Sequence, residues 1–409
     1  MALILSILCF VIAYVAYKRN EVLYNPVSLY LGTWALVFTL YALNPYSLPQ
    51  IHEATYQIYI VAFVAFLIGN VLIFKKPSIS GITLRKRSLN KKIVNSLIVV
   101  MVILMVIPAI KALSLIASGV DLHDIRYVHH DDIMGDGIVA IAFVYFCEPF
   151  ITFLIIFSVV NLFVGQRKMY YVLLSVISLA LMTIITGGRF FVLYFIVSLL
   201  IATLIFKNTR EAKKILKYSG ILLILLVVSL IVISVVRGSN IEQTFYVYLS
   251  GCIPFMEERI NDTSKLPNMY GMASLYGFIR PVFVVLRKVL SMELPLPLQV
   301  VESVFLEDDE LKMITPEIHY NSFVSIFYSM YLDGGLIGVF IGNLLLGVFA
   351  RYSFLKLQKD NPFKLVAYTL VAIIFLLSFF KLLVCNYTYA LSFIYLYVCF
   401  SKKKTYRTL

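Results

Sequence analysis

The sequence has few charged residues, and this scarcity is the first constraint on the class of protein. Only 14% of its 409 residues are Asp, Glu, Lys or Arg, whereas 61% are hydrophobic. Soluble domains carry about 25% charged residues, so the composition excludes an ordinary soluble protein and predicts an integral membrane protein. The net charge of +13 does not indicate a nucleic-acid partner, because most basic residues stand in short clusters between apolar runs, as in cytoplasmic loops.

Cysteine and tryptophan are also scarce. The five cysteines are scattered singly, and the absence of CxxC or Cys/His spacing argues against a disulfide framework and a zinc site. One tryptophan stands against 28 tyrosines and 31 phenylalanines, which can anchor helix ends at the membrane interface. Residues 2–17 lack a basic N-terminal region and a small-residue cleavage site, so we interpret them as a membrane span and not as a signal peptide.

Long apolar runs are abundant, and they set the predicted topology. A helix that crosses a bilayer of about 30 Å needs roughly 20 apolar residues. On this basis we predict about eleven spans, at residues 2–17, 27–43, 54–74, 94–117, 138–164, 169–186, 190–206, 217–236, 322–350, 364–380 and 383–400. Loops rich in Lys and Arg alternate with loops poor in them, which predicts an external N-terminus and a cytoplasmic C-terminus.

This topology divides the chain into three regions. Residues 1–236 hold the first eight spans, 237–321 form one outer loop, and 322–409 hold the last three spans and a basic tail. The outer loop has about 85 residues, far more than the usual helix connection, so we expect it to be functional. Within it, the apolar stretch 276–292 contains Pro281 and the pair Arg287-Lys288, which predicts a helix lying in the membrane surface with its apolar side down.

Basic residues from separate parts of the sequence are predicted to gather at the outer membrane face. They are Arg189 in the turn Thr186-Gly187-Gly188-Arg189, Arg237 at the end of the eighth span, Arg280, and His319 before the ninth span. Guanidinium groups bind phosphate through paired, charge-assisted hydrogen bonds, so this set predicts a site for a lipid-linked phosphate or diphosphate. Arg237 and Arg280 could equally snorkel to headgroups. The functional interpretation is favoured for Arg189, because Gly187 and Gly188 permit close approach of a ligand.

His319 and three further residues could take part in chemistry. His319 could transfer a proton near neutral pH or act as a structural hydrogen-bonding group at a helix start, and Glu317 is the alternative base. Glu148 is predicted near mid-membrane, directly before Pro149. It could lie on a proton path or orient an acceptor, or it could be a neutral group bonded to the backbone at the proline kink. Asp333, followed by two glycines, predicts a flexible or broken point in the overlong ninth span. This point could be a helix irregularity whose polar groups bond locally, or it could be functional.

Acidic residues form two clusters in the outer loops, at 121–136 with three histidines and at 307–310. Carboxylates and imidazoles together could bind a divalent metal. Solvated loop faces are the favoured interpretation, because positive charge is not retained outside. We therefore predict no metal site.

This order of features resembles the bacterial oligosaccharide repeat-unit polymerases (O-antigen, Wzy-type), membrane glycosyltransferases related to the O-antigen ligases within the GT-C superfamily. The resemblance rests on Thr186-Gly187-Gly188-Arg189 opening a span, one long loop late in the chain, and YLDGGLIG at 331–338 in the helix after it. It implies an all-α integral membrane protein with about 11 transmembrane helices, one long periplasmic loop and a GT-C-like fold.

The resemblance also implies a reaction. A repeat-unit polymerase joins undecaprenyl-diphosphate-linked oligosaccharides at the periplasmic face of the inner membrane. The growing glycan moves from its lipid carrier to the next lipid-linked unit, and undecaprenyl diphosphate leaves. No metal or other cofactor is implied, and a chain-length regulator is an expected partner. Arg189, Arg280 and Arg237 would bind the diphosphate, and His319 falls where the ligases carry a catalytic histidine.

Two alternatives to the polymerase stay open. An O-antigen ligase would use the same donor and transfer the glycan to lipid A–core. A transporter or flippase for lipid-linked oligosaccharides would need polar residues along a path through the membrane, whereas spans one to three, six and seven are almost free of charge.

Overall fold

The computed structural model describes residues 1–73, 87–120, 137–164, 169–186, 188, 190–207, 241–308, 311–315, 318–321 and 324–402. These residues are predominantly helical. The first helices are α1 (Ala2–Asn20), α2 (Pro26–Leu43), α3 (Glu53–Leu72), α4 (Lys91–Ala117), α5 (Ile138–Ala142), α6 (Glu148–Phe163), α7 (Met169–Thr186) and α8 (Phe190–Phe206). A π-helical turn, Phe143–Cys147, joins α5 to α6.

The later part of the chain alternates short and long helices. They are α9 (Ile241–Ser250), α10 (Cys252–Thr263), α11 (Tyr276–Leu290), α12 (Leu296–Asp308), α13 (Ile326–Leu355), α14 (Pro362–Leu376), α15 (Tyr387–Ala390) and α16 (Ser392–Cys399), with a 3₁₀ turn at Leu383–Cys385. The strands form two antiparallel pairs: β1 (Arg87–Leu89) with β4 (Phe400–Lys402), and β2 (Leu311–Thr315) with β3 (Ile318–Asn321).

Seven of the described helical segments are long and apolar enough to cross a membrane: α1, α2, α3, α4, Val139–Phe163, α7 and α13. Shorter apolar helices lie at Phe190–Phe206, Pro362–Leu376 and Tyr387–Cys399. The protein is therefore an all-α membrane protein by the length and composition of its helices. The predicted span 217–236 lies outside the described residues, so the total of about eleven stays a prediction.

The chain divides into two compact units. The first consists of Met1–Lys76, Ser239–Leu355 and Ile374–Tyr387, and the second of Pro77–Gly238, Lys356–Ile373 and Thr388–Leu409. The first unit has a buried aromatic core, in which Trp34 lies 4.9 Å from Phe327 between ring centroids and Tyr30 lies 4.5 Å from Phe66. The Tyr30 hydroxyl donates to the Asn343 side-chain oxygen at 3.0 Å, which satisfies a polar group inside this core.

Two glycines bring α3 and α13 of the first unit into close contact. A Cβ atom on Gly69 would collide with the Leu344 carbonyl, and one on Gly347 would collide with the Phe66 carbonyl. Small residues let the backbones of membrane helices approach closely, and packing then replaces the hydrophobic effect as the driving force. This crossing fixes α13, the helix that carries Asp333.

The second unit is built around α6, which is buried along almost its whole length. The hydroxyls of Ser158 on α6 and Ser175 on α7 hydrogen-bond at 2.8 Å. Near the other end of the chain, strand β4 pairs with β1, and the Arg87 guanidinium lies 4.7 Å from the Tyr397 ring centroid and 4.8 Å from that of Phe363. Cation–π contacts of this length are attractive, and they hold β1 beside the last helix.

The bounds of several predicted spans differ in the structure. The span predicted at 322–350 corresponds to a helix that begins at Ile326 and ends at Leu355. It is preceded by a β-hairpin in which residues 318–321 pair with 311–315. His319 therefore lies in strand β3 opposite Met313, and the prediction that it stands at a helix start is wrong. The helix predicted at 364–380 ends at Leu376, and irregular chain with a 3₁₀ turn precedes Tyr387.

Candidate functional site

Among the predicted site residues, Arg280 on α11 has the most contacts that suit a binding site. Arg280 Nε and Nη2 donate to Glu302 Oε1 on α12, at 3.1 and 2.5 Å. The guanidinium carbon lies 5.8 Å from the Tyr276 ring centroid and 5.7 Å from that of Tyr387. We call Tyr276, Arg280, Glu302 and Tyr387 the Arg280 cluster. The Arg280 guanidinium thus makes two hydrogen bonds to one carboxylate oxygen and contacts two aromatic rings. These contacts define its position.

The Arg280 cluster is accessible from outside the protein. The side chains of Arg280 and Glu302 are 26% and 25% exposed. A partly exposed ion pair contributes only modestly to stability, because water still screens both charges. An anionic ligand can therefore compete with Glu302 for the guanidinium at small cost, whereas a buried pair would resist exchange.

A close backbone contact fixes the start of α11. Tyr276 and Gly277 are buried. A Cβ atom on Gly277 would collide with the Val384 carbonyl and would lie 2.7 Å from the Asn386 carbonyl carbon. Glycine is thus required at this position by space, since nothing larger fits against residues 384–386. The contact places Tyr387, which follows directly, beside Arg280.

Asp333 fixes the segment that precedes α11. Helix α13 is interrupted at Gly334 and Gly335, whose φ/ψ angles are not helical. An interruption leaves helix carbonyls without their partners, and the carbonyls of Leu332 and Asp333 accept the backbone N–H groups of Met269 and Tyr270 at 3.0 and 3.1 Å.

The Asp333 carboxylate extends the same contact. Its two oxygens accept the N–H groups of Ala273 and Ser274, each at 2.9 Å. The predicted break in this span is confirmed, and Asp333 is a positioning residue that ties it to the chain leading into α11.

A second arginine, Arg259 on α10, holds α10 to α12. Its side chain is 1% exposed, and its guanidinium nitrogens lie 3.3 Å from Asp262 Oδ2 and 3.4 Å from Glu307 Oε2. It also donates to the Val304 carbonyl at 3.4 Å. A buried guanidinium with several acceptors is a structural tether, since losing those acceptors would leave its charge buried and unpaired.

Glu257, also on α10, binds the start of α3. Its carboxylate accepts the His52 backbone N–H and the Thr55 hydroxyl, and it contacts His52 Nδ1 at 2.7 Å. Partial burial raises the pKa of Glu257, but these hydrogen bonds and the nearby His52 lower it more, so the net pKa lies below the ordinary value. The ionised carboxylate therefore stabilises the contact between α10 and α3.

The predicted site residues have different outcomes in the structure. Gly187, Arg189, Arg237 and Glu317 lie outside the described residues. The Gly188 N–H donates to the Thr186 hydroxyl at 3.1 Å, in the short connection between α7 and α8. Glu148 lies in the second unit, where its carboxylate accepts the Thr388 hydroxyl at 2.9 Å. This partner is a side chain, whereas one alternative from the sequence was a bond to the backbone at the Pro149 kink.

Several residues of these contacts were not predicted from the sequence. Glu302 and Tyr387 are separated from Arg280 in sequence and meet it only through the packing of α11, α12 and residues 383–387. Arg259 stands in the polar run Glu257-Glu258-Arg259, which is typical of a solvated helix face. Its position next to the apolar stretch CIPFM at 252–256 was the available signal that one side of α10 is buried.

Among the described residues, no group of three or more His, Cys, Asp or Glu side chains could hold a metal ion. The acidic cluster at 121–136 lies outside the described residues. Within the cluster at 307–310, Glu307 is engaged by Arg259.

The fold and the Arg280 cluster define a class of protein: a helical membrane protein with a partly exposed, pre-positioned guanidinium group on helix α11. Comparison with protein-family models, with curated proteins and with solved structures finds no match for this chain.

Proposed function

We propose that this protein is a membrane glycosyltransferase that polymerises undecaprenyl-diphosphate-linked oligosaccharide repeat units. It transfers the growing glycan from its lipid carrier to the next lipid-linked unit, for an O-antigen or a similar surface polysaccharide. The observation that carries the proposal is Arg280, a partly exposed guanidinium that contacts Glu302 and two tyrosine rings, on the helix predicted to lie in the membrane surface.

The chemistry of the transfer explains why a positioned arginine is needed. When undecaprenyl diphosphate leaves the anomeric carbon, negative charge develops on the phosphate oxygens. A guanidinium group that is already oriented stabilises this charge without reorganisation, and losing one such donor commonly costs about 10²–10³ in rate. In the proposal, Arg280 exchanges Glu302 for the diphosphate, and Arg189 and Arg237 supply further positive charge.

The acceptor hydroxyl must also lose a proton. A positioned base contributes about 10²–10⁴ in rate, and His319 or Glu317 has this role in the proposal. The hairpin that carries His319 directly precedes α13, and Asp333 on α13 bonds to the chain leading into α11. The proposed protein acts at the periplasmic face of the bacterial inner membrane, with a chain-length regulator as a partner and a GT-C-like fold.

The test is a transfer assay with purified full-length protein. Undecaprenyl-diphosphate-linked repeat units are supplied in detergent with EDTA, and products are separated on a gel. We expect a ladder from the wild-type protein, and a loss of about 10²–10³ in rate for Arg280→Ala and Arg189→Ala. Arg280→Lys should fall between, because lysine keeps the charge without the planar fork. Lys265→Ala, at an exposed site away from the cluster, is the matched control.

Each alternative gives a distinct result. Transfer only when lipid A–core is added would identify a ligase. A ladder that the wild-type protein and Arg280→Ala form equally well would support the polymerase activity and show that Arg280 is not part of the site. No transfer to either acceptor, with folding confirmed by melting temperature, would contradict the enzyme and favour a transporter.

A further inference from the structure

The part of α11 that follows Pro281 exposes an apolar stripe. Val282, Val285 and Val289 are 56%, 53% and 73% exposed. At about 100° per residue, these positions fall within one narrow sector of the helix. Leu290, the last residue of the helix, and Met292 beyond its end are also exposed. Exposed apolar side chains on one face of a helix mark a surface that meets another apolar phase.

Basic side chains accompany this stripe. Arg287 and Lys288 are exposed in the last turn of α11. Lys288 borders the valine stripe, and Arg287 lies on the opposite side of the same turn. Neither forms an ion pair with any residue in the described part of the chain. Lysine and arginine can extend along an apolar surface and place their charges at its polar boundary.

The start of α11 contacts two segments that adjoin apolar helices. Asp333, which bonds to the chain just before α11, stands at the interruption of α13, and the segment 336–355 beyond it has about the length that crosses a bilayer. Gly277 contacts residues 384–386, which lie in the connection between apolar helices α14 and α15. Both attachments tie the start of α11 to segments that adjoin long apolar helices.

We propose that α11 docks on the membrane surface and binds anionic phospholipid headgroups. The valine stripe enters the boundary between headgroups and acyl chains, and Arg287 and Lys288 contact phosphate groups. The chemical complementarity selects this occupant, because an apolar stripe on a helix that carries two cations without an ion-pair partner among the described residues matches the surface of an anionic bilayer. The lipid contact does not require the proposed transfer reaction, so either can fail without the other.

The expected size of the effect follows from electrostatics at an anionic membrane. Each basic residue near such a surface strengthens binding by about fivefold, and the pair by about 25-fold. Because screening limits the attraction to about one Debye length, the preference should weaken as salt rises.

The test measures which lipid lies beside the helix in the full-length protein. Val289→Cys is labelled with a fluorophore, the protein is placed in nanodiscs of phosphatidylcholine and phosphatidylglycerol, and quenching by spin-labelled forms of each lipid gives their relative association. The native cysteines are buried, and the unsubstituted chain measures background labelling. The same measurement is repeated with Arg287→Gln plus Lys288→Gln, and with Lys265→Gln as the control.

We expect a clear preference for phosphatidylglycerol that falls toward unity in the double variant, stays in the control, and weakens at high salt. Equal quenching by both lipids in every variant would overturn the headgroup recognition. An unquenched fluorophore with water-like emission would overturn the docking. Unquenched but blue-shifted emission, together with a doubled particle mass, would assign the stripe to a second copy of the chain. Melting temperature distinguishes a misfolded variant from these results, and Lys288→Gln alone, at an exposed site, provides a second reading.

Discussion

Arg259 and Arg280 carry the same group and both bind carboxylates, yet their surroundings differ. Arg259 is buried between α10 and α12 and bonds to Asp262 and Glu307. Arg280 is partly exposed, pairs with Glu302, and lies against tyrosine rings. Burial makes the first pair costly to separate, and exposure makes the second pair exchangeable. An acidic partner alone therefore does not distinguish a tether from a binding group, whereas accessibility does.

The largest expected effect is the loss of the tether. Arg259→Ala should lower the local unfolding free energy of α10 and α12 by about 3 kcal/mol, since truncating a large buried side chain costs about 2–5 kcal/mol. Arg280→Ala should lower it by at most about 1 kcal/mol. Hydrogen exchange of the α10 and α12 amides measures both values. Equal losses in the two variants would end the distinction between these arginines.

The next effect concerns the support of Arg280. Gly277→Ala forces a methyl group against the backbone at 384–386, and such overpacking costs about 1–3 kcal/mol. It should move Arg280 away from Tyr387 and lower transfer activity. Gly32→Ala is the matched control, because open space surrounds Gly32 in α2 and alanine favours a helix by up to about 1 kcal/mol. Unchanged activity and melting temperature in Gly277→Ala would show that α11 is not held at this contact.

Much of this architecture could be predicted from the sequence. Apolar runs gave the membrane helices, and the stretch 276–292 gave α11, because length and periodicity are local properties. Asp333 with its two glycines indicated the break in α13. The pairing of Arg280 with Glu302 could not be predicted, since it depends on how α11 and α12 pack. The hairpin carrying His319 was missed because strands of four or five residues are stabilised by pairing and not by their own composition.

A smaller effect tests the other attachment of α10. The pKa of Glu257 lies below its ordinary value, so its carboxylate stabilises the contact with His52 and Thr55 at neutral pH. This contribution begins to fall below the ordinary glutamate pKa of about 4.3 and is lost as pH drops through the folded pKa. Glu257→Gln should remove about 1–2 kcal/mol at neutral pH and flatten the pH dependence between pH 3 and 6, followed by hydrogen exchange at the start of α3. An unchanged pH profile in Glu257→Gln would contradict the role of the carboxylate.

The smallest stability effect carries the sharpest distinction between the two arginines. Glu302→Gln removes the charge that competes for Arg280 and should cost at most about 1 kcal/mol of stability. The same change should raise the affinity for inorganic diphosphate by up to about fivefold, because the ligand no longer displaces an ionised partner. Isothermal titration with diphosphate measures this affinity, and Glu293→Gln, at an exposed site outside the cluster, is the control. Glu307→Gln should instead weaken α10 and leave the diphosphate affinity unchanged, since its arginine is buried. A lower diphosphate affinity in Glu302→Gln would mean that Glu302 orients Arg280 for the ligand and does not compete with it.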